Sequence, residues 1–297
     1  MESIAAQTLL PFELVIADDG SKDSTVDLIE DFARLAPFPV HFCRNERNLG
    51  STKNFEQVIS LCSGELIALS DQDDIWHTNK LSRLADAFVS NTEIGGVFSD
   101  ARLVDSESKL IGKTLWQIFD FNRGLRKRWS QGQASRILIR RDVITGATFA
   151  FRSDLRNLIL PISARWVHDG WIAWIVSLSS MLTFVEEPLI DYRVHSTQQE
   201  GVPGLTVTEA LARTLRHRAA DQARVAAAFE DLRHHLACEL KDRAVFDDLD
   251  AKISLCSARA KLPDGRVKRF LRAVLLVPDY MRYSRGLREA IKDVLLG

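Results

Sequence analysis

Apolar residues in the first third of this chain alternate between short unbroken runs and helical spacing. Phe12–Ala17, Val40–Cys43, Leu66–Leu69 and Ile94–Phe98 are runs of strand length closed by polar or turn-forming residues. Between them, Val26, Ile29, Phe32, Ala33 and Ala36 recur every three or four positions. So do Phe55, Val58, Ile59 and Cys62, and then Leu81, Leu84, Ala85 and Phe88. Asp23-Ser24-Thr25 supplies capping chemistry for the first of these helices, and Pro37 and Pro39 end it. Strand and helix in strict alternation predict a parallel, doubly wound α/β sheet. Met1 to Thr8 reads as the last turns of a helix ahead of the first strand.

The regularity loosens from Leu103 to Arg141, a stretch holding Gly112, Gly124, Gly132 and the basic cluster Arg123 to Arg128. Strands are predicted again at Thr145–Phe151 and Thr183–Val185, on either side of a tryptophan-rich helix over 166–179. Beyond Gly204 the pattern is helical. Thr208-Glu209 opens a long helix carrying Leu211, Leu215, Val225, Phe229 and Leu232, and Asp264 to Leu296 holds one or two more. The chain is thus expected to divide into an α/β domain, 1–204, and an α-helical extension, 205–297.

Hydrophobic content of 46% and charged content of 27% are ordinary for a water-soluble fold, and the net charge of −1 offers no general affinity for nucleic acid. The balance is uneven, because Lys261 to Gly297 holds nine Lys or Arg against four Asp or Glu. Cys43, Cys62, Cys238 and Cys256 are too scattered for a zinc site or a disulfide framework. No run approaches the length of a membrane span, so a cytoplasmic protein is expected.

Candidate chemistry lies in two acidic turns, each placed directly after a predicted strand. Asp18-Asp19-Gly20-Ser21 follows the first, and Asp71-Gln72-Asp73-Asp74 follows the third. Ligands of open α/β sheets bind beyond the carboxyl ends of the strands. The first turn by itself is equally well a helix cap or a turn that reads a nucleoside. In the second, three carboxylates within four residues repel one another unless solvent or a cation intervenes. Mg²⁺ or Mn²⁺ characteristically takes one or two carboxylates and completes its shell with water and substrate phosphate. A nucleotide diphosphate bound with a divalent cation suits both turns together.

These residues recur in a recognisable order: Asp18-Asp19-Gly20-Ser21, Asn48-Leu49-Gly50 with Asn54, then Ser70-Asp71-Gln72-Asp73-Asp74-Ile75-Trp76 with Lys80-Leu81. Thr145-Gly146-Ala147-Thr148, His168-Asp169-Gly170-Trp171 and Tyr192-Arg193-Val194-His195 follow. From Glu2 to Gly201 the chain closely resembles the family 2 inverting glycosyltransferases, especially bacterial rhamnosyltransferase-like members. The resemblance implies a GT-A nucleotide-diphospho-sugar transferase fold, a Rossmann-like mixed and mostly parallel sheet, with the helical extension behind it. It implies that Asp18 and Asp19 meet the nucleoside, Asp19 contacting the base, with Asn54 beside them. Asp71 and Asp73 become the DxD element that meets the donor and holds Mn²⁺ or Mg²⁺, with His195 as a further metal contact. Asp169 becomes the general base, and Arg193 meets the diphosphate charge.

The implied reaction is transfer of a sugar, rhamnose by family analogy, from a dTDP- or UDP-linked donor to a saccharide or polyprenyl-linked acceptor in cell-surface polysaccharide assembly. A non-catalytic remnant or nucleotide-sugar-binding module is the alternative. An aspartyl-phosphate phosphatase also carries a DxD after a strand, but Asp74-Ile75-Trp76 does not fit its pattern. Family members begin with a further strand, set in the middle of the sheet, that residues 1–8 do not supply. The resemblance therefore implies an N-terminally truncated domain that upstream extension stabilises. Gln198 or Gln199 stands where the family often has Asn after the His. Five of the six tryptophans (Trp116, Trp129, Trp166, Trp171 and Trp174) fall in the acceptor half, and one or two are expected to line the site rather than the core. The basic C-terminal segment from Arg266 onward interleaves Leu, Val and Phe with Arg and Lys. It reads either as an ordinary packed helix or as a peripheral contact with the inner face of the cell membrane.

Overall fold

The computed structural model describes residues 1–194, 218–240 and 242–296, and they gather into two compact units. The first comprises Met1–Ala134 and Val143–Gly201, and the second Ser135–Asp142 with Val202–Gly297.

In the first unit the helix α1 (Glu2–Ala5) precedes β1 (Leu14–Asp18), α2 (Thr25–Leu35), β2 (Val40–Arg44), α3 (Ser51–Leu61) and β3 (Leu66–Ala68). Then come β4 (Ile75–Trp76), α4 (Lys80–Ser90), β5 (Ile94–Val104) and β6 (Leu110–Thr114). Short helices α5 (Leu115–Ile118) and α6 (Arg123–Ser130) follow, then α7 (Ala134–Leu138), all but the first residue of which belongs to the second unit. The first unit resumes with β7 (Phe149–Arg152), α8 (Arg156–Ile159), α9 (His168–Ser179) and β8 (Met181–Arg193). The alternation predicted at the sequence level is present. The sheet is mixed, as the family resemblance implies, with more antiparallel pairing than the alternation alone predicts.

The strands form two sheets. β1 and β2 pair in parallel with each other, and the remaining six order as β3-β7-β5-β8-β4 with β6 on β5. β5 and β8 are parallel, whereas β7 runs antiparallel between β3 and β5. β5 and β8 extend well past the apolar runs that predicted them. The polar residues that hide these extensions pair across the strands: Arg102 lies opposite Asp191 and bonds it through Nε at 2.6 Å and Nη2 at 2.9 Å. A mostly apolar cavity of about 310 Å³, lined by Leu14, Val15, Ile59, Leu66, Leu84 and Phe88 among others, lies between β1 and β3.

Close packing seats the last turns of α9 on the sheet. Gly95 and Gly96 on β5 admit the helix, since a Cβ on Gly96 would stand 2.8 Å from Val176 and 2.9 Å from Leu182. Ile172, Ile175 and Val176 are consequently fully buried against the sheet. Trp116 and Trp129 join Phe98, Phe121 and Phe184 in an edge-to-face aromatic cluster, and Trp171 and Trp174 are equally buried. Four of these five tryptophans expected near an acceptor are therefore core, and Trp166 is the one that keeps partial exposure.

The second unit contains α10 (Arg218–Leu236), α11 (Arg243–Ala260), α12 (Arg266–Leu275), α13 (Val277–Tyr283) and α14 (Leu287–Leu296). Pro278 in the first turn of α13 and Gly286, with φ of 72°, break the tail into three helices rather than one or two. Arg259 anchors the unit, its Nε 2.7 Å from Asp293 and its Nη2 3.3 Å from Glu289, while the Tyr280 hydroxyl also donates to Asp293. Among the described residues no helix is long and apolar enough to cross a membrane.

Candidate active site

The first acidic turn caps β1. Asp18 is buried and accepts from the backbone N–H of Ser21 at 3.1 Å and of Gly20 at 3.3 Å. Burial opposes its charge, but the Ser21 and Gly20 hydrogen bonds and the Arg44 guanidinium prevail and hold its carboxyl below the ordinary range. Asp19 reaches the other way, accepting from Leu49 N at 2.7 Å, Gly50 N at 2.9 Å and Asn45 Nδ2 at 2.9 Å. Asn54 accepts from the same Asn45 amide and donates to Ala17 O at 3.1 Å. The polar turn over 45–50 is thus fastened to the end of β1, and α3 starts from it.

The second turn lies between β3 and β4. Burial pushes Asp71 up to about 7, helped by the nearby charges of Asp169 and Asp73. Asp74 is also pushed up to about 7, again chiefly by burial. One of its oxygens accepts from Arg193 N at 2.9 Å, and the other, also buried, has no hydrogen-bond partner among the described residues. Facing them is Lys80, fully buried at the start of α4. Its ammonium donates to Ala147 O at 2.6 Å and sits 3.5 Å from the centre of the Trp76 ring. Burial pulls Lys80 down to about 7, against the opposing pull of Asp74 and Asp71.

Asp169 enters from the first turn of α9, where the helix dipole favours a carboxylate. Its two oxygens accept from Gly146 N at 3.0 Å and Gly170 N at 2.6 Å. Burial nevertheless raises its pKa above the ordinary value. The preceding loop is fixed by Thr52, whose hydroxyl donates to Trp166 O at 2.8 Å, so α3 and α9 are tied together. His168 is buried, stacked on Phe55 with ring centres 3.7 Å apart, and neither ring nitrogen finds a partner among the described residues. Without solvent or a counter-charge its imidazole is held neutral, down to about 3.

Arg193 closes the group from the end of β8. Its Nε donates to Asp73 O at 3.0 Å, Nη1 to Asp105 O at 3.0 Å and Ser106 O at 3.1 Å, and Nη2 to Ser108 Oγ at 3.1 Å. The guanidinium therefore fastens the acidic turn to the β5–β6 turn. A phosphate contact would have to share or exchange these bonds.

Asp71, Asp73, Asp74, Asp169 and Lys80 thus converge, with Arg193 behind them, while Asp18, Asp19 and Asn54 form a second group at the end of β1. His195 lies outside the described residues. Among those residues no three His, Cys, Asp or Glu side chains form a metal cage. The acidic turn still suits a hard cation. One buried ammonium faces several carboxylates, and Asp74 keeps a buried oxygen unpartnered, a donor set that phosphate oxygens and water would complete. Lys80 and His168 stood in the quoted motifs without a role. The available signal for Lys80 was its position, since a lysine in the first turn of a helix opposes the dipole unless anions surround it.

Comparison with known proteins bears on the family and the fold. The profile described as Glycosyl transferase family 2 matches residues 1–157. An uncharacterized glycosyltransferase of Nostoc, alr2836, is 27% identical over 202 residues, covering 66% of this chain and 59% of the relative. The dTDP-rhamnosyl transferase RfbG of Shigella flexneri is 32% identical over 95 residues, 31% of this chain and 33% of its own. Among solved structures, the mannosyltransferase PcManGT of Pyrobaculum calidifontis, in complex with GDP-Man and Mn²⁺, superposes with a TM-score of 0.56 at 15% identity, covering 93% of this chain and 70% of that one. TarS of S. aureus gives 0.55 at 13% identity over 95% of this chain and 45% of its own. The chain therefore spans well under two thirds of the length of several proteins it matches. The fold is that of the GT-A enzymes and, with the family profile spanning more than half of its residues, this chain belongs to glycosyl transferase family 2.

Proposed function

We propose that this chain transfers a sugar from a nucleotide-diphosphate donor to a hydroxyl acceptor with inversion, the chemistry residing in residues 1–204. The observation that carries this reading is Asp169: a carboxylate fixed by two backbone N–H groups, made more basic by burial, and within electrostatic reach of Asp71. Asp169 takes the acceptor hydroxyl proton as that oxygen bonds to the anomeric carbon. The bond from that carbon to the diphosphate breaks on the opposite face, and the nucleoside diphosphate leaves with the electron pair. Asp71 and Asp73 would hold Mn²⁺ or Mg²⁺, which when bound offsets the charge on the departing diphosphate. Lys80 holds the acidic turn against Ala147, and Asp19 with Asn54 shapes the loop that meets the nucleoside.

Partial relatives supply the donors and acceptor class to try first. The Shigella protein makes dTDP-rhamnose the first donor to try. A partial relative of Escherichia coli, a UDP-Glc:alpha-D-GlcNAc-diphosphoundecaprenol beta-1,3-glucosyltransferase, makes a UDP-sugar the second and a polyprenyl-linked saccharide the acceptor class. A second reading, a nucleotide-sugar-binding module without turnover, is favoured by one feature. The β1–β2 pair that carries Asp18 and Asp19 is not hydrogen-bonded to the sheet that carries the acidic turn.

The test is release of nucleoside diphosphate from dTDP-rhamnose, UDP-glucose and GDP-mannose with Mn²⁺ and a polyprenyl-linked saccharide acceptor, for the parent and for Asp169→Asn. Transfer through Asp169 predicts release from one donor and a loss of about 10²-fold or more in the variant. Nucleotide binding without release from any donor supports the module instead.

A further inference from the structure

The helix α12 (Arg266–Leu275) is amphipathic in the wrong sense for a packed helix. Its one fully buried side chain is the small Ala273, and Arg269 on that side donates from Nε to Pro263 O at 3.0 Å. Val267, Phe270, Leu271, Val274 and Leu275 recur at i, i+3, i+4, i+7 and i+8, the spacing of one continuous stripe. That stripe faces solvent. Val267 is 74% exposed and Leu275 71%, with the other three about half exposed or more. At about 100° per residue the five positions cover an arc of about 140°, centred about 130° around the helix from Ala273. Arg266 flanks the stripe on one side and Lys268 and Arg272 on the other, all exposed, and the helix contains no acidic residue.

The surrounding charge has the same sign. Nine Lys or Arg and four Asp or Glu lie between Lys261 and Gly297, and two of the four acids, Glu289 and Asp293, are engaged by Arg259. α12 packs on α14, which carries its own exposed row at Leu287, Ile291 and Leu295. Apolar residues placed outward at this spacing are not incidental exposure. Two copies laid stripe to stripe would bring basic flanks against basic flanks, which disfavours self-association through this face.

We propose that α12 is an interfacial helix that docks the chain on an anionic lipid surface, with Phe270, Leu271 and Val274 entering the acyl boundary and Arg266, Lys268 and Arg272 at the phosphate level. Apolar burial and attraction to anionic headgroups act together in such helices, and long basic side chains reach the interface while their stems stay apolar. This inference does not depend on the transfer chemistry, so its test contains no activity measurement.

The test is flotation of the full chain with vesicles of phosphatidylcholine alone and of phosphatidylcholine with one third phosphatidylglycerol. The expected result is flotation with the anionic vesicles, binding to neutral ones about tenfold weaker or less, and reversal by high salt. Phe270→Glu with Leu271→Glu abolishes flotation, and Lys268→Gln with Arg272→Gln removes the preference for phosphatidylglycerol. All four side chains are exposed, so both variants are expected to melt like the parent. If the parent stays with the soluble fraction, or the Phe270/Leu271 variant floats as the parent does, the proposal is overturned. Concentration-dependent dimers that the same variant dissolves, without vesicle binding, would overturn it in favour of a second copy.

Discussion

Lys80 and Ala147 join the two halves of the site: the lysine, wholly out of solvent, donates its ammonium to the Ala147 carbonyl at 2.6 Å. The next residue back, Gly146, donates its N–H to Asp169. One buried cation therefore neutralises part of the acidic turn and also fixes the turn before β7 whose Gly146 N–H holds Asp169, the proposed base. Lys80→Met leaves Ala147 O without its donor and removes the internal counter-charge. We expect a loss of about 1–3 kcal/mol in chemical denaturation, moderated because the carboxyls can take up protons.

Asp169→Asn keeps the shape and one acceptor oxygen, so its melting temperature is expected to stay near the parent's while donor turnover collapses. A carboxyl whose pKa is raised by folding destabilises the folded state as pH rises from its unfolded value, near 3.9, through its folded one. Asp169 therefore contributes a loss of stability with rising pH over that window, alongside the raised Asp71 and Asp74. Asp169→Asn removes only its own share, so its stability falls less steeply with pH than the parent's. Melting both proteins between acid and mild alkaline pH checks the sign.

The same raised pKa fixes the acid limb of activity. Asp169 works only when ionised, so turnover rises with pH through its folded pKa, a limb displaced upward from the ordinary carboxylate range. A pH–rate profile whose acid limb sits at the ordinary value would remove burial from the explanation.

Gly146 is held to a hydrogen atom by its neighbours. A Cβ there would lie 2.8 Å from His168 Nε2 and 3.6 Å from Asp169 Cβ. The ring cannot step aside easily, because it is stacked on Phe55. Gly146→Ala is expected to cost about 1–3 kcal/mol and to displace the base, lowering kcat more than nucleotide affinity. Turnover and nucleotide titration on the same sample separate the two effects.

The acidic turns were legible because each closes an apolar run, where a carboxylate has little structural reason to sit unless it caps or binds. What each carboxylate bonds to was not legible. Asp18 turned out to close its own turn, and Asp19 to hold the amides of Leu49 and Gly50 some thirty positions away. The far halves of β5 and β8 escaped notice because Arg102 and Asp191 interrupt the apolar pattern, and only their pairing across the sheet makes them strand residues. The sheet's direction was equally hidden. Alternating elements say nothing of β7, whose antiparallel entry between β3 and β5 depends on contacts far apart in the chain. The tryptophans followed their commoner fate and filled the core.

The central claim, a donor site that combines a nucleotide with a divalent cation, is tested most directly by thermal melting. The chain is melted with dTDP, UDP and GDP, each with and without Mn²⁺, beside Asp73→Ala. A ligand at about 100 times its Kd adds about 2.7 kcal/mol, which moves the midpoint by several degrees. The account predicts a shift with one nucleotide that needs Mn²⁺ and disappears in Asp73→Ala. A cooperative melt unmoved by all three nucleotides, or a shift of equal size without the metal and in the variant, would contradict it.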